Sequence, residues 1–222
     1  MIVYGKRVIE YIIQKHPDIV KEILIAKKLN KNELKKFNKF KIKFIDNKTA
    51  QKLSKNQNHQ GFFAKIEFNP PIWDIVGNKI LILENVTDMG NIGAIVRTAY
   101  ALGIDLLIIT GIKELKWDRV IRTSAGAAID MKILVHQNIL ELINILKTKN
   151  YLIVGADLGG KCKPSKKEKI ALIMGNEGEG LSKRVKEKLD EIITIEMKRD
   201  FDSLNVSVAA GILIDRITNE CR

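Results

Sequence analysis

The hydrophobic positions of this chain change their pattern near residue 70. Before that point, short apolar stretches alternate with lysine-rich polar ones. Apolar residues at helical spacing predict three helices and alternating or short apolar runs predict three strands. The predicted helices are 6–16, ended by Pro17, 32–38 and about 47–53, and the predicted strands are 22–26, 41–45 and 61–66. The pattern therefore predicts a small α/β unit of about seventy residues, a usual size for a domain.

After residue 76 the apolar residues form continuous runs at 80–83, 106–109, 151–154 and 170–173. Strands that are apolar on both faces are typical of a parallel sheet covered by helices on each side. We expect further strands at 131–135 and 192–195. The predicted helices are about 91–102, 117–124, 138–149, 181–189 and 204–217. The second part of the chain is therefore predicted to be an α/β domain whose ligand lies beyond the carboxyl ends of the strands.

The segment 69–73 separates the two patterns and contains two adjacent prolines, which cannot extend a sheet. We therefore predict a first domain at 1–70, a linker at 71–76 and a second domain at 77–222.

The first of three polar segments at predicted strand ends runs from residue 83 to 99. A strand ends, a polar turn follows, and a helix begins near Asn91, with Arg97 six residues further on. An arginine beside apolar neighbours needs an anionic partner or a functional reason. The alternative is an ordinary surface arginine.

The second segment follows the strand 170–173 and contains Gly175, Gly178 and Gly180, together with Glu177. Glycines allow the backbone to adopt positive φ and to approach a ligand closely. Their spacing, G-x-x-G-x-G, differs from the dinucleotide-binding G-x-G-x-x-G. The segment is a candidate ligand-binding loop.

The third segment, 195–211, enters the last predicted helix through Ser203, Asn205 and Ser207. A helix N-terminus that carries such side chains can hold an anion or a developing negative charge. The alternative is an ordinary helix capped by Asp202 or Ser203 and packed on the sheet.

In this order, the three segments resemble the SpoU (TrmH-like) family of RNA ribose 2′-O-methyltransferases. The family pattern N-x-G-A-x-x-R-T-A is matched by 91–99, G-x-E-G-x-G-L by 175–181, and S-L-N-V-S-V-A by 203–209. Residues 3–6 and 59–61 also resemble the L30-like substrate-binding domain of the bacterial 23S rRNA guanosine 2′-O-methyltransferase subgroup. The resemblance therefore covers nearly the whole chain.

The resemblance implies a C-terminal parallel-sheet domain with a trefoil knot, a homodimer, S-adenosyl-L-methionine (AdoMet) as methyl donor and RNA, most specifically 23S rRNA, as substrate. It implies that Arg97 can act across the dimer interface. The chain departs from the family at Glu196, where proline is usual, and at 89–90, where Pro-His is usual. The implied catalytic residues are Asn91, Arg97, Glu177, Ser203 and Asn205, and the implied cofactor-binding residues are Gly175, Asn176, Ile195, Met197 and Leu204.

These residues suggest a chemistry in which negative charge develops on the ribose oxygen. We expect Arg97 to bind the nucleotide phosphate and polarise the 2′-hydroxyl while Ser203 and Asn205 orient it. Glu177 is expected to shape the pocket or to position a partner group. A guanidinium stays protonated far above neutral pH, so it is poorly matched to deprotonating a hydroxyl, and we favour orientation and electrostatics.

Composition favours a nucleic-acid partner. The formal net charge is +12, and residues 1–70 hold 16 Lys or Arg against 6 Asp or Glu, whereas the rest of the chain is nearly balanced. Such a concentration favours a polyanion, with Lys6, Arg7 and the lysines of 27–43 as phosphate contacts. The alternative is compositional, because Lys and Asn are abundant throughout.

The same composition argues against several other classes. With 222 residues, 45% of them hydrophobic and 29% charged, the chain is expected to be globular and cytoplasmic, without a membrane segment. Cys162 and Cys221 are too few for a disulfide framework, and three scattered histidines predict no metal site. Three alternatives stay open: a nucleotide-dependent oxidoreductase, an RNA-binding protein without catalysis, and an enzyme that methylates tRNA.

Overall fold

Two separate β-sheets divide the chain close to residue 70. The computed structural model describes residues 1–199 and 203–219. The first sheet has strands β1 (Ile2–Tyr4), β2 (Val20–Ile25), β3 (Ile42–Phe44) and β4 (Phe62–Ile66) in the order β1-β4-β2-β3. It is accompanied by helices α1 (Lys6–Lys15), α2 (Lys31–Lys35) and α3 (Asn47–Ser54), and by a 3₁₀ turn at Pro17–Ile19. The predicted elements are present, and β1 is an additional strand.

The second sheet has six strands, all of whose pairings are parallel, in the order β10-β8-β9-β5-β6-β7. Its strands are β5 (Lys79–Glu84), β6 (Leu106–Thr110), β7 (Ile133–Val135), β8 (Leu152–Lys161), β9 (Ile170–Met174) and β10 (Glu191–Ile193). Its helices are α4 (Met89–Ala101), α5 (Trp117–Thr123), α6 (Ile139–Thr148), α7 (Lys183–Lys186) and α8 (Val206–Thr218), with a 3₁₀ turn at Ala127–Ile129. The predicted α/β class is confirmed. No helix among the described residues combines the length and the apolar character needed to cross a bilayer.

Alternate residues of the central strands enter two different cores, as expected for a sheet covered on both faces. Leu81 and Leu83 of β5 pack with residues of α4, α5 and α8, whereas Ile80 and Ile82 pack with residues of α6 and α7. All four are fully buried. The continuous apolar runs of the sequence are therefore explained by burial on both sides of the sheet.

Helix α5 and the turn after it contact the N-terminal unit. The Arg122 guanidinium lies 5.0 Å from the centre of the Tyr4 ring at the end of β1. The Tyr11 hydroxyl of α1 donates a hydrogen bond to Asp130, which also contacts His16 at 3.1 Å. Burial, followed by the hydrogen bond to Asp130, raises the pKa of Tyr11 above its ordinary value. One hydrophobic cluster includes residues of both units, so they pack directly on each other.

Three predicted elements have different bounds in the structure. The helix expected at 181–189 is only α7, because Leu189 must pack near Gly155 and Asp190 must accept a hydrogen bond from the Ile153 amide at 2.8 Å. Strand β8 continues well past 154, through a bulge against β10 that pairs Lys161 with Ile193. The strand predicted at 192–195 is β10, which ends at Ile193.

Close packing of α4 on α5 gives a first testable prediction. A Cβ on Gly93 would overlap Thr123, whereas a Cβ on Gly211 in α8 would meet only Thr98 Cγ2 at 3.7 Å. Gly93→Ala should therefore lower the free energy of unfolding by about 1–3 kcal/mol. The matched Gly211→Ala should raise it by about 0.5–1 kcal/mol, because alanine favours a helix. Urea unfolding measures both, and equal effects would contradict the packing described.

Candidate active site

The three motif segments meet at the carboxyl ends of β5 and β9. Buried Glu84, the last residue of β5, accepts a hydrogen bond from the Ser182 amide at 3.1 Å. This bond ties the end of the glycine-containing loop to the neighbouring strand. The segments therefore lie where ligands of parallel α/β sheets bind.

Asn91 projects from the first turn of α4. The helix begins at Met89, with Asp88 as its N-cap, and the Asp88 carboxylate accepts a hydrogen bond from the Asn91 amide at 2.8 Å. The cap fixes the backbone of Asn91 and leaves its side chain directed at the glycine-containing loop.

The loop after β9 is a tight turn that only glycine permits at position 175. A Cβ on Gly175 would overlap the Gly180 carbonyl group. Asn176 holds the turn, because its Oδ1 accepts hydrogen bonds from the amides of Gly178 at 3.0 Å and Glu179 at 2.7 Å. Gly180 has a φ of +65°, where glycine is favoured. Glu177 lies at the outer part of this turn.

Asn205 is the N-cap of α8 and does not lie within its first turn. Its Oδ1 accepts hydrogen bonds from the Ser207 amide at 2.9 Å and from the Ser207 hydroxyl at 2.5 Å. The capping role expected of Ser203 is therefore wrong. Asp202, the other expected cap, lies outside the described residues. An asparagine at the cap is favourable, so its low helix propensity carries no cost there.

One hydrogen-bonded group, which we call the Glu177 cluster, consists of Glu177, Asn91, Asn205 and Ser207. Glu177 Oε1 accepts from Asn205 Nδ2 at 2.6 Å, from Asn91 Nδ2 at 3.0 Å and from the Val206 amide at 3.2 Å. Asn205 Nδ2 also lies 3.1 Å from Asn91 Oδ1. A carboxylate with three N–H donors at a helix N-terminus is well stabilised. The cluster joins three segments that are remote in sequence.

A cavity of about 300 Å³ lies beside the cluster, at the lower end of the size range of small-molecule sites. Its apolar wall includes Met174, Leu213 and Ala209. Every predicted cofactor-binding residue lines it, as do Glu177 and Ser203; the five are Gly175, Asn176, Ile195, Met197 and Leu204.

The charge of the cavity distinguishes between ligands. Asp157, Glu177 and Glu179 line it, and none of the lining residues that the structure describes is basic. Lys186 neutralises Asp157 from outside at 2.5 Å. Such a wall suits a cationic ligand and opposes a pyrophosphate, which argues against a nicotinamide dinucleotide.

Two residues of this wall, Asp157 and Leu158, were not predicted from the sequence. Both lie on the extension of β8, and Leu158 is 74% exposed. Gly159 and Gly160 directly after them were the available signal for an irregular strand. Ser207 was expected only as part of a helix N-terminus that can hold an anion, and its place in the Glu177 cluster follows from the structure.

Arg97 lies outside both the Glu177 cluster and the cavity wall. Its apolar neighbours Ile95, Val96 and Ala99 face the sheet and are fully buried, whereas Arg97 is exposed. It has no hydrogen bond or ion pair with any residue within 1–199 or 203–219. Six helical positions separate it from Asn91, about 600° of rotation, so the two side chains project in different directions. The apolar neighbours therefore do not bury this arginine.

Family models match both parts of the chain. The model described as the SpoU rRNA methylase family matches residues 78–215. The model described as the RNA 2′-O ribose methyltransferase substrate-binding domain matches residues 2–71.

The chain belongs to the SpoU rRNA methylase family.

Relatives of this SpoU protein are similar along their whole length. A tRNA/rRNA methyltransferase of Borreliella burgdorferi, described as uncharacterized, is 36% identical over 95% of this chain and 97% of the relative. The 23S rRNA (guanosine-2′-O-)-methyltransferase RlmB of Haemophilus influenzae is 29% identical over 98% and 97%. The crystal structure of the SpoU methyltransferase AviRb from Streptomyces viridochromogenes, in complex with AdoMet, has a similar fold. Its TM-score is 0.76 at 24% identity, and the match covers 98% of this chain and 89% of AviRb.

The SpoU protein is thus an AdoMet-dependent RNA 2′-O-ribose methyltransferase. AdoMet supplies an activated methyl group on a positively charged sulfonium. The cavity fits this group by its own features: acidic lining residues, an apolar wall and a backbone turn that approaches closely at Gly175. Within the described residues, no group of three or more His, Cys, Asp or Glu could hold a metal ion.

The tight turn at Gly175 yields a prediction with a built-in control. Gly175→Ala should weaken AdoMet binding by at least about tenfold, because the new methyl group must displace the loop backbone that lines the cavity. Gly211→Ala should leave the affinity within about twofold, since Gly211 does not line the cavity and its Cβ would meet only Thr98 Cγ2, at 3.7 Å. Isothermal titration calorimetry measures both. Equal losses would show that the turn does not shape the cofactor site.

Proposed function

We propose that this SpoU protein methylates the ribose 2′-hydroxyl of a guanosine in 23S rRNA. The full-length similarity to RlmB supports this target, and the match of residues 2–71 to a substrate-binding model supports it further. The concentration of basic residues in that part of the chain is consistent with rRNA capture. A tRNA target is the alternative, because the 36% identical relative is named a tRNA/rRNA methyltransferase.

The target can be tested with purified protein and tritiated AdoMet. We expect 23S rRNA that lacks the modification to accept close to one methyl group per molecule, and tRNA and 16S rRNA to accept none. Mapping 2′-O-methyl sites in RNA from a deletion strain should then show one guanosine that has lost its mark. Methylation of tRNA alone would replace the proposed target, and no transfer to any RNA would refute the function.

Within the site, we infer that Glu177 acts mainly as a positioning group. Its Oε1 is occupied by three N–H donors, and the two Asn205 amide protons point at Glu177 and Asn91. The same contacts hold the edge of the cofactor cavity, which Glu177 and Ser203 both line. This leaves Ser203 and Arg97 to contact the ribose and its phosphate, where a guanidinium stabilises the charge that develops on the 2′-oxygen. Asn91, Asn205 and Glu177 keep the receiving pocket in shape.

We further propose that the enzyme is a homodimer in which Arg97 completes the partner's site. Arg97 lies on the outer face of α4, and two further residues of these helices are exposed, Tyr100 of α4 and Val208 of α8, 46% and 52% accessible. The helices α4 and α8 pack on each other. A second copy of the chain that covered these exposed residues would bring its own Arg97 guanidinium to the site. We also propose that the second domain has a trefoil knot and that the protein is cytoplasmic. The proposed division of the chain is 1–70, 71–76 and 77–222.

Subunit mixing tests the shared site. Arg97→Ala should reduce kcat at least about a hundredfold, as expected for the loss of a charge-stabilising group. Asn205→Ala should reduce kcat by about the same factor, because the pocket loses the contacts that hold its shape. Arg97→Lys should be nearly as impaired, since lysine lacks the bidentate fork. AdoMet affinity should survive in both Arg97 variants.

If Arg97 acts across the interface, co-expressed Arg97→Ala and Asn205→Ala chains form heterodimers with one intact site. Such mixtures should regain about a quarter of wild-type activity when chains pair at random and each heterodimer has one working site. No recovery in verified heterodimers would place Arg97 in its own subunit's site.

A further inference from the structure

One end of the N-terminal sheet carries several basic residues. Strands β1, β2 and β3 run in the same direction, and β4 runs against them. The residues that follow β1, β2 and β3 therefore emerge at the same end, together with those that precede β4. We call this surface the basic sheet end. It comprises Lys6, Arg7, Lys27, Lys28, Phe44 and Lys48.

The charges of the basic sheet end are largely available to a ligand. All five basic side chains are exposed. Lys27 lies 3.9 Å from Glu33 and over the Phe62 ring. Lys6, Arg7, Lys28 and Lys48 have no ion-pair partner among the residues that the structure describes. The nearby carboxylate of Asp46 is turned into the N-terminus of α3, where it accepts from the Thr49 amide at 2.7 Å. The surface therefore has an excess of positive charge.

Phe44 gives this surface an aromatic group. It ends the edge strand β3, where it pairs with Ile25 of β2, and it is 61% exposed. The other phenylalanines of residues 1–71 are buried or half-buried. No ring or cation–π contact joins Phe44 to another described residue. A free aromatic face at the same sheet end as several unpaired cations is the combination that binds a stacked base and nearby phosphates.

We propose that the basic sheet end binds an unpaired stretch of the RNA substrate, with Phe44 stacking on a base. Lys28 and Lys48 contact the phosphates next to that base, whereas Lys6 and Arg7, at the opposite edge of the sheet, contact phosphates further along the RNA. Stacking requires a base that is not covered by its neighbours in a helix, so the recognised element is a single-stranded loop or bulge. This inference rests on the proposed function, because RNA is the assumed polyanion.

The basic sheet end adjoins the methyltransferase part of the chain. Arg122 of α5 covers the Tyr4 ring at the end of β1, next to Lys6 and Arg7. The Thr123 hydroxyl donates a hydrogen bond to the Met89 carbonyl oxygen at 2.8 Å, in the first turn of α4 where Asn91 lies. RNA held at the basic sheet end is therefore anchored to the unit that packs on the catalytic helix.

The test measures the binding of two labelled RNAs to the full-length protein in the absence of AdoMet. One is a hairpin with a loop of about eight nucleotides, which is within the usual size of a single-strand site. The other is the same stem without the loop. Phe44→Leu should weaken loop binding about 5- to 50-fold and change stem binding less than about twofold. Phe44→Trp should restore loop binding, because the indole also stacks. Ile72→Ala is the control, since Ile72 is 96% exposed and lies away from this surface.

A salt titration separates stacking from charge. Lys6→Gln with Arg7→Gln should reduce the slope of log affinity against log salt by about 0.7 for each lost phosphate contact. Phe44→Leu should leave that slope unchanged. Equal losses on loop and stem, or no loss with Phe44→Leu, would overturn the proposal.

Methyl transfer distinguishes this proposal from the function itself. Phe44→Leu should raise the KM for RNA and leave kcat and thermal stability near wild type. A wild-type protein that binds the loop but methylates no RNA would refute the proposed function alone. Normal methylation with an unchanged KM in Phe44→Leu would refute the stacking role alone.

Discussion

The arrangement of the active site depends on one carboxylate oxygen. Glu177 Oε1 receives donors from the starts of two helices, α4 and α8, through Asn91, Asn205 and the Val206 amide. The turn that presents Glu177 exists only because Gly175 can lie against the Gly180 carbonyl group. Glu177 and Asn205 are exposed, so water can replace a lost acceptor, and the main effect of losing it would be to release the relative positions of the three segments. The cofactor cavity and the substrate side of the pocket share this wall, so its geometry is set before either ligand binds.

Much of this architecture was predictable because burial leaves a direct mark on sequence. The runs around Leu81, Ile108 and Leu172 are apolar at every position, and all three residues are fully buried in the parallel sheet. The residue types of the site were also predictable, since glycine, asparagine and glutamate in these motifs match a known family. The hydrogen-bond partners of these residues were not predictable. Asn205 was expected in a first turn, but its cap geometry depends on where α8 begins, and that depends on packing against α4. The short α7 and long β8 likewise follow from tertiary contacts of Leu189 and Lys161 that no local propensity encodes.

Arg97 and Asn91 belong to one sequence motif but do not lie in the same cluster. The helix that brings Asn91 into the Glu177 cluster necessarily turns Arg97 outward, because six positions do not return to the same face. The sheet-facing positions are taken by Ile95, Val96 and Ala99. A sequence motif that contains both residues therefore does not imply that both serve the same pocket. The outward position agrees with electrostatic help supplied to another subunit, and it keeps an always-protonated group away from the acidic cofactor cavity.

The ligand-binding surfaces of the two units carry opposite charges. The cofactor cavity has Glu177 and Glu179, together with Asp157 that pairs with Lys186, and none of its described lining residues is basic, which favours a sulfonium over a phosphate. The basic sheet end has the opposite character and attracts a phosphate backbone. An RNA substrate is thus drawn to the N-terminal unit and kept out of the methyl-donor site, although both lie on one molecule. Because α5 contacts β1 on one side and the first turn of α4 on the other, packed elements connect these two charged surfaces. The RNA between the captured loop and the modified ribose must span the distance between them.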